Sequence, residues 1–196
     1  VGYRVDSITN EVIELTSKGF KFVSDTPNVN PLGQKVLYFD NSTTLNCNIH
    51  LTELPSTPNT EGYGEGLPVI DIVHAGYLVK NVDTIVAWYE DKFGAVAVGG
   101  IGKSVRGARN GYVNFGNVQV ELIEPLDQSL LQGEEIILDH IGLVVENIEK
   151  EIETCKQVGV NFVADEPITN RVGQKLLYFD KPSSLCTGMH LTQLPS

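Results

Sequence analysis

The stretch that decides the fold is Ile141–Ser196, which opens with IGLVVENIEKEIETC and contains GQKLLYFD at residues 173–180. A second copy stands at the start of the chain, where Val1–Ser56 opens with VGYRVDSITNEVIEL and contains GQKVLYFD at residues 33–40. The two copies align without a gap at a shift of 140 residues, and about two positions in five are identical. A match of this length indicates an internal duplication, so the repeating unit is about 56 residues long.

Each copy predicts one helix and four strands. In the later copy, apolar residues recur at helical spacing from Ile148 to Val158, and the helix stops at Gly159. The same pattern places the helix of the earlier copy at about Ile8–Lys18. The strands predicted for the later copy are His140–Val145, Val160–Val163, Leu176–Phe179 and Met189–Leu194.

The segment between the copies has a similar pattern of apolar residues but a different sequence. It predicts a strand at Val73–Val79, a helix at Val82–Phe93 and three further strands up to Ile123. We therefore predict an α+β fold with three consecutive βαβββ units and an antiparallel-rich sheet. The predicted boundaries are a lone unit at 1–56, a Gly- and Pro-rich linker at 57–68, and a two-unit module at 69–196 that divides into 69–125 and 138–196.

Composition excludes several classes of protein. A net charge of -11 and a pI near 4.7 repel phosphate backbones, so we expect neither nucleic acid nor a membrane surface as a partner. No apolar run is long enough to span a bilayer, and no secretory leader opens the chain. The absence of an initiator Met before Val1 indicates a processed, truncated or partial chain. Three unpatterned cysteines (Cys47, Cys155 and Cys186) predict reduced thiols and a cytoplasmic location.

All four histidines fall in the first or last strand of a predicted unit. His74 and His140 lie in first strands, whereas His50 and His190 lie in final strands. In the middle unit, Glu121 occupies the final strand. Imidazole and carboxylate groups on rigid strands are ligands that Zn, Fe, Mn, Co and Ni accept. We therefore predict a divalent metal site where two units pair, with the identity of the metal left open.

At these residues the chain resembles the vicinal oxygen chelate superfamily, which includes glyoxalases, bleomycin-resistance proteins and extradiol dioxygenases. It is most similar to the methylmalonyl-CoA epimerase branch. The matching text is IVHAGYLV at 72–79, VELIEPL at 120–126 and DHIG at 139–142, and the resemblance covers the middle and last units. Residues 1–56 look like the second half of another such module.

The resemblance implies that paired βαβββ units form a half-open barrel around one divalent metal. By motif, the ligands would be His74, Glu121, His140 and His190. It further implies that the metal polarises a small carbonyl or acyl-thioester substrate and stabilises an enolate, as in isomerase or lyase chemistry.

Two features depart from the epimerase branch. That branch usually has a Glu at the position of His190, where it serves as a ligand and in proton transfer, and a further carboxylate where this chain has Ala95–Gly100. We keep Glu121 and His190 as the predicted catalytic residues, because an imidazole that is not ligated can act as a base near neutral pH. Glu124 and Tyr112 are further polar candidates, although solvent exposure and packing are the more common roles for such residues.

Two alternatives stay open. A ring-cleaving type of dioxygenase would use the same fold with Fe or Mn, and a bleomycin-resistance type of protein would bind a small molecule without reacting. Binding proteins of that type need no converging ligands, so the placement of the histidines argues against them.

Two smaller features concern loops and partners. The Gly-rich stretch 99–111 carries Lys103, Arg106 and Arg109, which predicts a flexible hairpin with solvated charges in preference to a lid that binds anions. The repeated Gly-Gln-Lys sequence is interpreted as a structural turn.

Because three units leave one without an internal partner, we expect residues 1–56 to pair in a homodimer or with a missing half-module.

Overall fold

The computed structural model describes residues 1–57, 66–104 and 107–195. The chain divides into two compact bodies, an N-terminal body at Val1–Gly64 and a C-terminal body at Glu65–Ser196. Within the described residues, each of the three predicted units follows the βαβββ order, so the predicted α+β fold of three such units is confirmed. The predicted linker at 57–68 lies mostly outside the described residues, and the predicted domain boundaries stay predictions.

The N-terminal body contains four strands and one α-helix. They are β1 (Gly2–Val5), α1 (Ile8–Ser17), β2 (Asn28–Val29), β3 (Lys35–Tyr38) and β4 (His50–Glu53). The strands form one sheet in the order β1-β4-β3-β2. The outer strand β1 pairs in parallel with β4, and the Cα of Gly2 lies opposite that of His50. The helix begins after Ser7, whose side chain accepts a hydrogen bond from the backbone N–H of Asn10.

The C-terminal body contains the middle and last units. The middle unit contains β5 (Asp71–Val79), α2 (Val82–Phe93), β6 (Val96–Lys103), β7 (Arg109–Phe115) and β8 (Val118–Glu124). The last unit contains β9 (Ile136–Val144), α3 (Ile148–Gln157), β10 (Ile168–Thr169), β11 (Lys175–Tyr178) and β12 (Met189–Gln193). The strands form one eight-stranded sheet in the order β10-β11-β12-β9-β5-β8-β7-β6. The two units meet edge to edge, because their first strands β5 and β9 pair antiparallel at the centre.

Each helix of the C-terminal body covers the sheet of its own unit. Val82, Ile85, Val86 and Tyr89 form the buried face of α2, which is capped by Asn81 and ends at Gly94 in the left-handed conformation. In the last unit, Ile148 and Ile152 of α3 pack with Val145, Leu177 and Leu191. Because the helices shield one face of the curled sheet, the other face is free to carry a site.

One predicted strand is wrong. Residues 160–163 form no strand, since Phe162 makes only an isolated bridge to Phe179. The short strand β10 lies further on, at Ile168–Thr169 next to Pro167. The chain turns at Gly159, where φ is +82°, and backbone hydrogen bonds of 3.0 Å from Val163 to Tyr178 and from Asp180 to Asn161 then hold it beside the end of β11. The pairing stops there and resumes only at β10.

Candidate metal centre

Four adjacent strands bring the predicted ligands together. His190 lies on β12, His140 on β9, His74 on β5 and Glu121 on β8, and these strands are consecutive neighbours in the sheet. The Nε2 atom of His74 lies 3.1 Å from Nε2 of His140 and 3.2 Å from Nε2 of His190. The Oε2 atom of Glu121 lies 3.4 Å from Nε2 of both His74 and His140.

These separations fit ligands around one ion. Atoms that each lie about 2.0–2.1 Å from a common metal are about 2.8–3.4 Å apart in octahedral or tetrahedral arrangements. The ligand atoms of His74, His140 and His190 all lie within 4.8 Å of one another, and all three residues are buried. The three histidines could therefore hold a divalent metal, and Glu121 is placed to join them.

Glycines opposite the histidines make the close approach possible. The register places Gly142 opposite both His74 and His190, and Gly76 opposite both His140 and Glu121. A Cβ atom on Gly76 would overlap the imidazole of His140. On Gly142, a Cβ atom would lie 2.5 Å from Cγ1 of Val73 and 2.7 Å from Cε1 of His190. The His-x-Gly spacing at 74–76 and 140–142 therefore provides space for the neighbouring ligand, and it was visible in the sequence.

Hydrogen bonds fix the orientation of two imidazoles. Nδ1 of His140 lies 2.8 Å from Oδ2 of Asp139, and Nδ1 of His190 lies 2.8 Å from Oγ1 of Thr192 and 3.3 Å from the carbonyl oxygen of Leu191. A carboxylate or carbonyl oxygen accepts, so both Nδ1 atoms donate, and each ring in its neutral form directs the Nε2 lone pair inwards. The Nε2 atoms of His140 and His190 lie 3.1 and 3.2 Å from Nε2 of His74. Three lone pairs that face one another at these distances suit a cation between them.

The protonation states of His74 and His190 also suit metal binding. Burial lowers the pKa of His74 to about 4, with the charge of His140 contributing and that of Glu121 opposing. Burial and the charges of His74 and His140 hold the pKa of His190 well below its ordinary value. Both rings are neutral at physiological pH, which is the form that binds metals.

His140 and Glu121 behave differently because they are paired. Burial lowers the pKa of His140, but its hydrogen bonds to Asp139 and Glu121 outweigh burial and raise it. For Glu121, burial alone would raise the pKa. Its hydrogen bonds and the charges of His74 and His140 outweigh burial and lower the pKa to about 2. Glu121 therefore stays ionised, as a metal ligand must.

Glu121 is held by two neutral donors on β7. Its Oε1 atom accepts a hydrogen bond of 2.7 Å from the hydroxyl of Tyr112 and one of 2.8 Å from Nδ2 of Asn110. All three side chains are buried. Because both donors use Oε1, the other oxygen remains directed at the imidazoles. Tyr112, for which packing was expected, therefore belongs to the site, and Asn110 was not anticipated from the sequence.

Other sequence candidates lie elsewhere. Oε2 of Glu124 accepts from the backbone N–H of Val82 at the start of α2 and from Arg109, which also pairs with Asp83. Glu124 and Arg109 therefore support the fold instead of binding a ligand. Arg106 of the predicted hairpin lies outside the described residues. The repeated Lys175 pairs with Glu149 on the surface, as a structural role predicts.

A cavity of about 200 Å³ lies next to Glu121. Its polar lining includes Asp139, Arg171 and the Asn110–Tyr112 pair beside Glu121. Its apolar lining includes Leu78, Ile123, Leu130, Ile168 and Leu176. A cavity of this size admits a small molecule or the acyl end of a larger one.

No helix in the described part of the chain combines the length and the hydropathy needed to cross a bilayer. Comparison with curated protein sequences finds no match. Solved structures are similar in fold. Methylmalonyl-CoA epimerase from Mycobacterium tuberculosis aligns with a TM-score of 0.61 and 18% identity, over 68% of this chain and 93% of that one. A hypothetical protein from Bacillus halodurans aligns with a TM-score of 0.56 and 20% identity, over 64% and 95%.

A third similar structure, Streptomyces coelicolor methylmalonyl-CoA epimerase in complex with 2-nitronate-propionyl-CoA, gives a TM-score of 0.58 and 17% identity over 65% of this chain and 99% of that one. At these identities the likeness concerns the fold. The sequence model of the Glyoxalase/Bleomycin resistance protein/Dioxygenase superfamily matches residues 73–178, which is more than half of the chain. The chain therefore belongs to the glyoxalase/bleomycin resistance protein/dioxygenase superfamily.

Proposed function

We propose that this protein is a metal-dependent enzyme that acts on a small carbonyl or acyl-thioester substrate by isomerase or lyase chemistry with an enolate-like transition state. The observation that carries the proposal is the convergence of His74, His140, His190 and Glu121 beside a cavity of about 200 Å³. A divalent metal bound there would polarise the substrate carbonyl and acidify the adjacent C–H group.

The cavity supports a substrate with a small acyl part. Its apolar side, formed by residues such as Ile123 and Leu176, would bury a short hydrocarbon group. A coenzyme A tail is larger than the cavity and would have to remain outside it. The structural neighbours that are methylmalonyl-CoA epimerases are consistent with a thioester, although their identity to this chain is only 17–22%.

Of the two predicted catalytic residues, we keep Glu121 for proton transfer because it lines the cavity. His190 is fully buried and does not belong to the cavity lining, so we assign it to the ligand set and place no proton-transfer step on it.

The proposal is tested by exchange of the α-protons of S-propionyl-N-acetylcysteamine, a small thioester, in D₂O. We expect the metal-loaded protein to catalyse exchange that NMR detects, and His140→Ala to abolish it. Glu121→Gln should reduce exchange by at least about 100-fold, the scale of a lost general base. A Lys175→Ala variant, altered only at a surface ion pair, serves as the control.

The alternatives give different results. Absence of exchange with this thioester and with small ketones would contradict the proposal. Oxygen consumption with a catechol would indicate the dioxygenase instead, and tight binding without turnover would indicate a binding protein of the bleomycin-resistance type.

A further inference from the structure

We propose that Arg171 is a positioning residue for the metal centre, which acts through Asn110 to hold Glu121 with one oxygen directed at the imidazoles. The inference rests on the proposed metal site, and it concerns residues that lie outside the ligand set.

Arg171 joins the last unit to the middle unit within the C-terminal body. Its Nε atom donates to Oδ1 of Asn110 at 3.0 Å, and one terminal nitrogen donates to the carbonyl oxygen of Gly99 at 2.8 Å. The other terminal nitrogen donates to the carbonyl oxygens of Gly100, at 2.6 Å, and of Asn110, at 3.2 Å. The guanidinium also lies 5.1 Å from the ring centre of Tyr112. One planar group thus binds the backbone of β6 and both the side-chain oxygen and the backbone carbonyl oxygen of Asn110.

The amide of Asn110 is held between Arg171 and Glu121. Because Nε of Arg171 can only donate, the oxygen of the amide faces it. An ionised carboxylate can only accept, so the nitrogen of the same amide faces Glu121, where Nδ2 donates to Oε1 at 2.8 Å. Both neighbours favour the same orientation, and Arg171 holds the amide in place against the carboxylate. Arg171 therefore helps to position a donor to a ligand that it does not touch.

The internal repeat shows that Arg171 is not part of the shared loop structure. In both copies the same loop is built by the same bonds, since Oδ1 of Asn30 or Asn170 accepts two backbone N–H groups and Nδ2 donates to Gln34 or Gln174 at 2.8 Å. The position after the asparagine is Pro31 in the first copy and Arg171 in the second. Both copies thus build the same loop, and the residue after the asparagine is an arginine in the body that contains the converging ligands and a proline in the other body.

Exposure sets the size of the effect. Arg171 is exposed at the surface, whereas Asn110 is 2% exposed. Solvent weakens the hydrogen bonds of an exposed guanidinium, so its loss should affect the site less than the loss of the buried amide. Changes to groups that orient metal ligands commonly cost 10- to 100-fold in affinity. We expect about 10- to 100-fold for Asn110→Ala and about threefold to tenfold for Arg171→Pro.

The experiment measures the affinity for Zn²⁺ by competition with a chromophoric chelator, together with the visible spectrum of the Co²⁺-loaded protein. Arg171→Pro introduces the residue that the first copy has at the equivalent position. Because the two loops are built by the same hydrogen bonds, the fold should persist. Arg171→Lys keeps the charge without the planar fork, and Lys175→Ala is the control. Arg171→Pro and Arg171→Lys should weaken binding alike, and both should shift the Co²⁺ spectrum in the same direction as Asn110→Ala.

A double-mutant cycle tests the route through Asn110. If Arg171 acts through that amide, Arg171→Pro combined with Asn110→Ala should bind Zn²⁺ no more weakly than Asn110→Ala alone. Fully additive losses, wild-type affinity in Arg171→Pro, or full rescue by Arg171→Lys would each overturn the proposal. Catalysis is not measured, so failure of the proposed reaction would leave the result for Arg171 unchanged.

Discussion

The two copies of the repeated unit contain the same histidine in different surroundings. His50 and His190 occupy equivalent positions, each opposite a glycine (Gly2 or Gly142) and beside a tyrosine ring, at 4.9 Å from Tyr38 and 4.8 Å from Tyr178. His190 is fully buried and faces His74, whereas His50 is half-buried and belongs to no group of converging ligands among the described residues.

The difference shows what a single unit can and cannot encode. The local environment of the imidazole is repeated with the copy, including the glycine whose Cβ would overlap the ring. The other ligands come from the neighbouring unit, because β9 pairs with β5 in the C-terminal body, whereas β1 is an outer strand of its own sheet. A metal site of this kind therefore requires two units that pair through their first strands.

The largest expected effect separates the two histidines directly. His190→Ala removes an inward-facing Nε2 atom and should weaken Zn²⁺ binding by more than about 100-fold, since changes outside the ligand set alone cost 10- to 100-fold. His50→Ala should leave the affinity within about twofold of the wild type. Competition with a chelator measures both. Equal losses in the two variants would refute the distinction between the copies.

The second prediction concerns the opposing glycines. Gly142→Ala and Gly2→Ala each place a Cβ atom against a histidine ring, so both should lower the free energy of unfolding by about 1–3 kcal/mol. Only Gly142→Ala should also weaken metal binding, because it displaces a predicted ligand. Urea denaturation of the metal-free variants and chelator competition separate the two effects. A loss of metal affinity in Gly2→Ala would contradict the account.

The smallest effect concerns the cysteines, which fall at different positions in the two copies. Burial raises the pKa of Cys47 to about 11, so that only about 0.1% of it would be thiolate at pH 8. Burial also raises the pKa of Cys155, whereas Cys186 is exposed. We expect a disulfide reagent at pH 8 to label Cys186 rapidly and the other two slowly, as followed by mass spectrometry. Rapid labelling of Cys47 would contradict the burial of its side chain in the N-terminal body.

Much of the fold could be predicted because the chain repeats itself. The duplication gave the element order twice, and the middle helix begins and ends at the predicted residues, Val82 and Phe93, because Asn81 and Gly94 cap it. The strand predicted at 160–163 was wrong, since alternation of apolar residues does not show over how many residues the pairing with a neighbouring strand continues, and here it is limited to a single bridge.

The candidate site was predictable only where strand position carried the information. The four predicted ligands come together because each lies on a first or last strand, and those strands are adjacent in the sheet. Their role as metal ligands stays a prediction. Asn110 and Arg171 could not be found this way, because their contacts join β7 to a loop 61 residues away in the sequence. In the sequence, the sign at this position is the difference between Pro31 and Arg171, next to an asparagine and a Gly-Gln-Lys that both copies share.

The central claim is that paired units, and not single units, hold the metal. Elemental analysis of the purified and reconstituted protein by inductively coupled plasma mass spectrometry tests it most directly. We expect one divalent ion per chain, retained in His50→Ala and lost in both His74→Ala and His140→Ala. A second ion that disappears in His50→Ala would show that the first copy holds its own site, and no ion in the reconstituted wild type would contradict the metal centre altogether.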